Sequence, residues 1–432
     1  MQFFADLHLH SRFSRATSKD LTIPNLEKYA RIKGIGLLGT GDCQHPGWNE
    51  ELKKYFVKEK EGIYYTETGF PFILSTEISL IYSDAGKGRR VHLVVLLPSF
   101  AAVDQLISYL KKHGRLDYDG RPIFNIPCDR FVADLKNISD DIEIIPAHIW
   151  TPWFSLFGSK SGYDSLKDCF KDQAKHIHAY ETGLSSDPPM NWRISELDNL
   201  TLVSFSDLHS YWPWRIGREA TIFDIDLTYK NLLAALRTRK GYVGTIEVDP
   251  CYGKYHFDGH RSCNVSLAPA ESLKLKNICP VCRRPLTVGV LQRVEELAEK
   301  DRPEGYRPKQ QYSYYSLISL SEIISLVLGK GVATKEVWKE YYTILKAGKD
   351  ELDVLLNLPY EKLKEVTSEK ISQTIIESRE GKMSVKPGYD GVYGVPLIEG
   401  VEPKIMSEDG NGETEKPQTQ PAKSQKGLGD FF

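Results

Sequence analysis

The stretch Phe3-Phe4-Ala5-Asp6-Leu7-His8-Leu9-His10-Ser11 opens on an apolar run and then alternates, with Leu7 and Leu9 between polar neighbours. A period of two predicts an extended strand end with His8 and His10 on the same side of the backbone. Similar short apolar runs recur at residues 35–40, 71–76, 91–97, 142–147, 177–180 and 202–206. Between them the patterns Pro24 to Lys33, Ala101 to His113, Arg130 to Asn137 and Tyr229 to Arg239 predict helices, each broken by Gly, Pro or polar residues. This alternation over residues 1 to about 245 predicts an α/β fold, a mainly parallel sheet with covering helices forming an open or slightly short barrel of about seven repeats.

Metal-ligand residue types follow these runs. Asp42 and His45 come after the second, Glu77 after the third, His148 after the fifth, Glu181 after the sixth and Asp207 with His209 after the last, while His92 opens the fourth. In α/β barrels, ligand and catalytic groups collect at one rim from the ends of several strands. Mixed imidazole and carboxylate sets suit Zn²⁺, Mn²⁺ or Fe²⁺, and clustered ions activate water for phosphoester hydrolysis. Glu181, beside Thr182-Gly183, serves equally well as a group that orients a ligand from behind.

Composition narrows the class. The 432 residues exceed a single comfortable core, so two or three domains are expected. A net charge of −2 excludes a global polyanion-attracting field, and nucleic-acid binding would need local basic patches, present at 86–90, 237–240 and 254–293. No apolar run is long enough to cross a membrane and no signal layout opens the chain, so a cytoplasmic location and no membrane partner are expected. Seven cysteines, an odd number with one close pair, fit metal ligation and buried thiols better than a disulfide framework.

The knuckles His260-Arg261-Ser262-Cys263 and Cys279-Pro280-Val281-Cys282 predict a structural zinc module over 246–300, with Cys251 and His256 in reserve. Basic residues around it, among them Lys254, Arg261, Arg283, Arg284 and Arg293, suit backbone contacts to nucleic acid or a simple fold brace. Aromatic loops follow two candidate ligands: Trp150, Trp153 and Phe154 after His148, and Trp212 with Arg215 after His209. They are candidates for DNA or lesion contact by stacking, or for a hydrophobic lid. Residues 301–402 read as a helical C-terminal region, and 403–424 as a disordered linker rich in Ser, Glu, Gly, Thr, Pro and Gln. The last eight residues, Gln425-Lys426-Gly427-Leu428-Gly429-Asp430-Phe431-Phe432, resemble the sliding-clamp (PCNA) interaction peptide, in which Gln425, Leu428, Phe431 and Phe432 would make the contact.

Asp6-Leu7-His8-Leu9-His10-Ser11, Glu77, His92, Pro146-Ala147-His148 and Ser206-Asp207-Leu208-His209 together resemble the polymerase and histidinol phosphatase (PHP) family of metallo-phosphoesterases. That resemblance implies a distorted seven-stranded (βα) barrel over 1–245 with up to three divalent metals, Zn²⁺, Mn²⁺ or Mg²⁺. It implies that His8, His10, Glu77 and Asp207 hold one metal, that Glu77 bridges to a second held with His92 and His148, and that His209 serves a third. Ala16 stands where the family often has a further histidine, and the usual Thr-Asp-His is Thr40-Gly41-Asp42-Cys43-Gln44-His45, so either Asp42 or His45 would complete the third site.

With the zinc module and the terminal peptide, the layout resembles the archaeal endonuclease Q branch of that family. This implies DNA repair: hydrolysis by metal-activated water of the phosphodiester 5′ to deaminated bases (uracil, hypoxanthine, xanthine) or abasic sites, with damaged DNA and the clamp as partners. His8, His10, Glu77, His148, Asp207 and His209 would be catalytic. The alternative is a PHP phosphatase or exonuclease acting on small phosphoesters or nucleic-acid ends.

Overall fold

The structure is a computed structural model that describes residues 2–309 and 311–398. The linker 403–424 and the clamp-like peptide 425–432 lie outside the described residues.

Among the described residues the central sheet has eleven strands; eight follow the order Ser313–Ser316, Tyr242–Glu247, Ala220–Asp224, Gln2–Asp6, Ile35–Gly39, Pro71–Asp84, Ile63–Tyr65 and Lys58–Lys60, and Ile123–Phe124 pairs with Pro71–Asp84 off that path. Lys87–Leu97 branches from Pro71–Asp84 and pairs in turn with Glu143–Pro146. The sheet is mixed, not mainly parallel. Gln2–Asp6 runs parallel to Ile35–Gly39 but antiparallel to Ala220–Asp224, and Pro71–Asp84 is antiparallel to Lys87–Leu97.

A tight turn explains the difference. Ala85 (φ 49°) and Gly86 (φ 76°) both adopt the left-handed region that a hairpin turn matched to strand twist requires. The strand therefore continues past Glu77 to Asp84 and folds straight back through His92. Glu77 sits mid-strand opposite Val94, and His92 opposite Ser79, so the two ligands are diagonal neighbours on one face.

Backbone hydrogen bonds lace the remaining strand ends together. Ala147 N–H donates to His92 O at 3.0 Å, Ile149 N–H to Glu181 O at 3.1 Å, and Thr182 N–H to Val203 O at 3.0 Å. Asp207 N–H donates to His8 O at 3.0 Å, and His10 N–H to Leu208 O at 3.1 Å. Residues distant in sequence thus meet at one rim. Helices Ile23–Lys33, Phe100–Leu110, Cys128–Ile138 and Tyr229–Thr238 cover the sheet through buried positions such as Leu26, Leu106, Phe131 and Leu236.

Behind the rim lies a second acidic layer. Glu219 and Glu247 are fully buried, and Glu247 Oε2 accepts from Thr182 Oγ1 and Ser204 Oγ, each at 3.0 Å. Both oxygens of Glu219 and Oε1 of Glu247 have no hydrogen-bond partner among the described residues. Burial, then repulsion from Glu247, raises Glu219 well above the usual carboxyl range; burial pushes Glu247 up to about 8 against the hydroxyls that lower it.

The folded state therefore binds more protons than the unfolded chain between about pH 4.5 and 8, so stability falls as pH rises through that window. Glu219→Gln is expected to flatten this slope by up to roughly 1.4 kcal/mol per pH unit. Thermal melts at the two ends of the window check it, and an unchanged slope contradicts the raised Glu219 carboxyl.

The C-terminal region is mainly helical, from Leu320–Leu328 to Glu369–Arg379, entered through the edge strand Ser313–Ser316 and left through the hairpin Ser384–Lys386 with Val395–Leu397. A buried ion pair docks it on the α/β body. Lys33, 2% exposed, donates from Nζ to Glu351 Oε1 at 2.7 Å and to the Pro213 carbonyl at 2.9 Å. Glu351 also accepts from Leu320 N–H at 3.0 Å and Tyr341 Oη at 2.6 Å.

Candidate metal centre

The rim brings candidate ligands into two groups joined by one carboxylate. His8, His10, Glu77 and Asp207 offer atoms within 4.8 Å of one another, and so do Glu77, His92 and His148. His10 Nε2 lies 3.2 Å from Glu77 Oε2 and 3.1 Å from Asp207 Oδ1; His92 Nδ1 lies 2.6 Å and His148 Nε2 3.2 Å from Glu77 Oε1. Yet His8 Nε2, His10 Nε2 and Asp207 Oδ1 are buried and make no aligned hydrogen bond. Buried polar atoms normally find partners. Converging lone pairs of this kind fit a shared cation.

The far sides of the His8 and His10 rings are fixed. His8 Nδ1 lies 2.9 Å from Glu181 Oε1, and the other oxygen, Glu181 Oε2, accepts the His148 backbone N–H at 2.7 Å. Glu181 thus orients one ligand through its ring and another through its backbone, standing behind the ligand groups. Asp42 does the same for His10, whose Nδ1 lies 3.2 Å from Asp42 Oδ1, and it also accepts from Ser11 N–H, Ser11 Oγ and Ser14 Oγ.

The charges reinforce one another. Burial would lower His8, but Glu181, Asp207 and Glu77 outweigh it and hold its pKa well above the ordinary value; His10 is raised likewise against burial by Asp207, Asp42 and Glu77. Burial would raise Glu77 and Asp207, yet the surrounding cations hold both well below the carboxylate range. Asp42, His148 and Asp207 have φ of 43°, 31° and 46°, left-handed conformations that cost on the order of 1–3 kcal/mol each and concentrate at functional sites.

Not every candidate joins the groups. Asp42 is occupied by His10 and the serines, and His45 stacks on Phe13 with centroids 4.5 Å apart, so neither belongs to a described ligand group. His209 stands beside His10 at 4.7 Å between rings, with Nδ1 3.0 Å from the Asp207 carbonyl, and is likewise outside both groups. Arg121 was not anticipated from the sequence: its Nη1 donates to Glu77 Oε2 at 3.1 Å. It lies in a loop with no periodic pattern, and nothing local marks it.

His260, Cys263, Cys279 and Cys282 converge as a separate group, with His260 Nδ1 3.3 Å from Cys282 Sγ. Their thiols and imidazole fit a tetrahedral structural zinc. Cys251 and His256 are not part of this group. Arg293 ties the module to the loop after His148, donating from Nε to Phe157 O at 2.9 Å and from Nη2 to Tyr163 O at 3.1 Å.

The aromatic loops divide. Trp150 is 1% exposed, packed on Phe157 with its indole N–H donating to Asn191 Oδ1 at 2.8 Å, so it is a core residue and not a DNA contact. Trp212 is held in an aromatic stack with Trp214 and Trp338 at 5.2 and 5.5 Å, and its face is thereby used in docking the C-terminal helices. Trp153 and Phe154 are half-buried, Phe154 lying 4.8 Å from the His92 ring. Arg215 lines a pocket with Arg218, Leu184, Tyr252, Glu322 and Tyr393. Arg218 donates to the Ser206 carbonyl at 3.2 and 3.0 Å, which sets this pocket one residue from Asp207.

Two candidate ligand groups joined by Glu77 fit a metal-dependent phosphoesterase. Comparison with known proteins narrows the class. The structure of PfuEndoQ from Pyrococcus furiosus, a lesion-specific endonuclease, superposes with a TM-score of 0.81 at 32% identity, covering 96% of this chain and 98% of that one. An endonuclease Q complex with a 27-mer duplex bearing an abasic lesion at the active site gives a TM-score of 0.82 at 32% identity, covering 96% and 99%. The chain belongs to the endonuclease Q family.

Residues 319–382 also match the family described as the MJ0043 C-terminal domain. The protein MJ0043 of Methanocaldococcus jannaschii is 34% identical over 277 residues, 62% of this chain, which spans only 34% of that protein's length. YqxK of Bacillus subtilis is 29% identical over 414 residues, covering 91% of this chain and 98% of YqxK. Among the described residues no helix is long and apolar enough to cross a membrane.

Proposed function

We propose that this protein is a repair endonuclease that hydrolyses the DNA phosphodiester 5′ to deaminated bases or abasic sites. One observation supports it above the rest: two candidate ligand groups share the single carboxylate Glu77, and Arg218, which lines a pocket, bonds to the carbonyl of Ser206, the neighbour of Asp207. The ring of strand ends is read as the distorted barrel of the family.

Divalent ions held by His8, His10, Glu77 and Asp207, and by Glu77, His92 and His148, would lower the pKa of a water and neutralise phosphoryl oxygens. Glu181 and Asp42 keep the imidazoles aimed. Water oxygen bonds to phosphorus as the ester P–O bond breaks, with no covalent enzyme intermediate. The pocket of Arg215, Arg218, Tyr252 and Tyr393 offers aromatic and hydrogen-bonding walls to an extruded nucleotide, and extrusion costs least where the base is mispaired or missing. Trp153, packed on Tyr255, and Phe154, beside His92, are proposed to meet the DNA near the centre, and the Arg and Lys residues of the zinc module to contact its backbone.

The sliding clamp is proposed as the partner of Gln425, Leu428, Phe431 and Phe432. End-labelled duplexes, each with a single uracil, hypoxanthine, xanthine or abasic site, are expected to be nicked 5′ to the lesion with Mg²⁺ or Mn²⁺ and spared with chelator. Removing residues 427–432 is expected to abolish clamp binding and leave this basal cutting. Rapid hydrolysis of a phosphate monoester with no nicking of any duplex overturns the proposal.

A further inference from the structure

The loop that carries Arg121 is bolted to the centre from behind. Arg121 N–H donates to Asp119 Oδ1 at 3.1 Å, and Gly120 N–H to Phe13 O at 3.0 Å. Gln44 Nε2 donates to Gly120 O at 2.6 Å, and a Cβ at Gly120 would collide with the Asp42 carboxylate, so only glycine lets the loop approach this closely. The residues behind His10 thus also set the place of Arg121.

Its guanidinium, 29% exposed, rests on the one carboxylate common to both ligand groups. Nη1 donates to Glu77 Oε2, the oxygen that also approaches His10 Nε2. Among the described residues its remaining N–H donors have no side-chain partner in evidence. The arrangement is unfavourable for a purely structural cation: the pair shares Glu77 with the atoms that gather divalent charge, and the guanidinium keeps part of its surface exposed. An incoming anion resolves both. A guanidinium presents parallel donors matched to phosphate, and the charge on the phosphoryl oxygens grows as water attacks.

Resting on the proposed phosphodiester hydrolysis, we infer that Arg121 is a catalytic residue that grips the scissile phosphodiester beside Glu77 and stabilises the charge that develops on its oxygens. It adds a fixed positive charge of the protein's own to the charge the ligand groups collect, and its contact with Glu77 is the position it holds between substrates.

Arg121→Gln and Arg121→Lys, as full chains, test this by single-turnover nicking, Mn²⁺ calorimetry and duplex anisotropy. Arg121→Gln is expected to slow nicking by about 10²–10³-fold, the size of effect seen when one preorganised donor is lost. Mn²⁺ affinity should stay equal or tighten, because a competing cation leaves Glu77, and Arg121→Lys should recover part of the rate. Nicking within threefold or so of the wild type overturns the inference, as does a rate that falls only in step with Mn²⁺ affinity. A wild-type chain that cuts no lesion overturns the DNA-cutting reading and this inference with it, whereas an active wild type with equally active variants overturns this inference alone.

Discussion

Asp207→Asn is expected to lower metal-dependent nicking by at least about 10³-fold, roughly 4 kcal/mol of transition-state stabilisation, while duplex affinity changes little. The substitution keeps size and shape but removes the anion that faces His8 Nε2 at 3.6 Å and His10 Nε2 at 3.1 Å. A carboxylate that offers an unpaired, buried Oδ1 to the ligand group loses its charge there, and the group loses its grip on a divalent ion. Binding should survive because an acidic group repels phosphate, so its removal takes away no attraction. Nicking and anisotropy measured on one abasic duplex check this; undiminished cutting refutes the role of Asp207.

Lys33→Met is expected to destabilise the chain by about 3–5 kcal/mol, because it strands a buried carboxylate. Glu351 would keep only Tyr341 Oη and the Leu320 N–H, and the Pro213 carbonyl would lose its donor. Since Pro213 lies between Trp212 and Trp214, the same change loosens the segment that stacks on Trp338 and leads into Arg215 at the pocket. Calorimetric melting should show the C-terminal helices releasing early, and Lys33→Met with Glu351→Met should recover most of the loss. Equal stability of the single variant and the wild type contradicts the pair as the docking element.

Most residues of the two candidate ligand groups carry local marks in the sequence, because strand ends interrupt apolar runs. His8-Leu9-His10 and Asp207-Leu208-His209 are short polar interruptions at the ends of apolar runs, and the fold places them side by side through His10 N–H to Leu208 O. Glu77 was legible by type and not by place, since the run at 71–76 continues through it into a long hairpin turned by Ala85-Gly86.

What was hidden depends on partners far along the chain. Lys33 only marks the end of a predicted helix in the sequence, and its buried partner Glu351 is 318 residues away. Trp150 reads as a stacking platform or part of a hydrophobic lid, but Asn191 satisfies its indole and Phe157 covers its ring. Either Asp42 or His45 reads as completing a third site, yet Asp42 accepts from Ser11 and Ser14, and His45 stacks on Phe13. Arg121 has no periodic context, and only the latch from Gln44 and Phe13 explains why it reaches Glu77.

The most direct measurement is anomalous diffraction at the manganese edge from crystals of the full chain grown with Mn²⁺. Peaks are expected in both ligand groups, one among His8, His10, Glu77 and Asp207 and one among Glu77, His92 and His148, with Glu77 touching both. Manganese absent from both groups in crystals of enzyme that cuts with Mn²⁺, or seated on ligands that exclude Glu77, would contradict a centre built on that shared carboxylate.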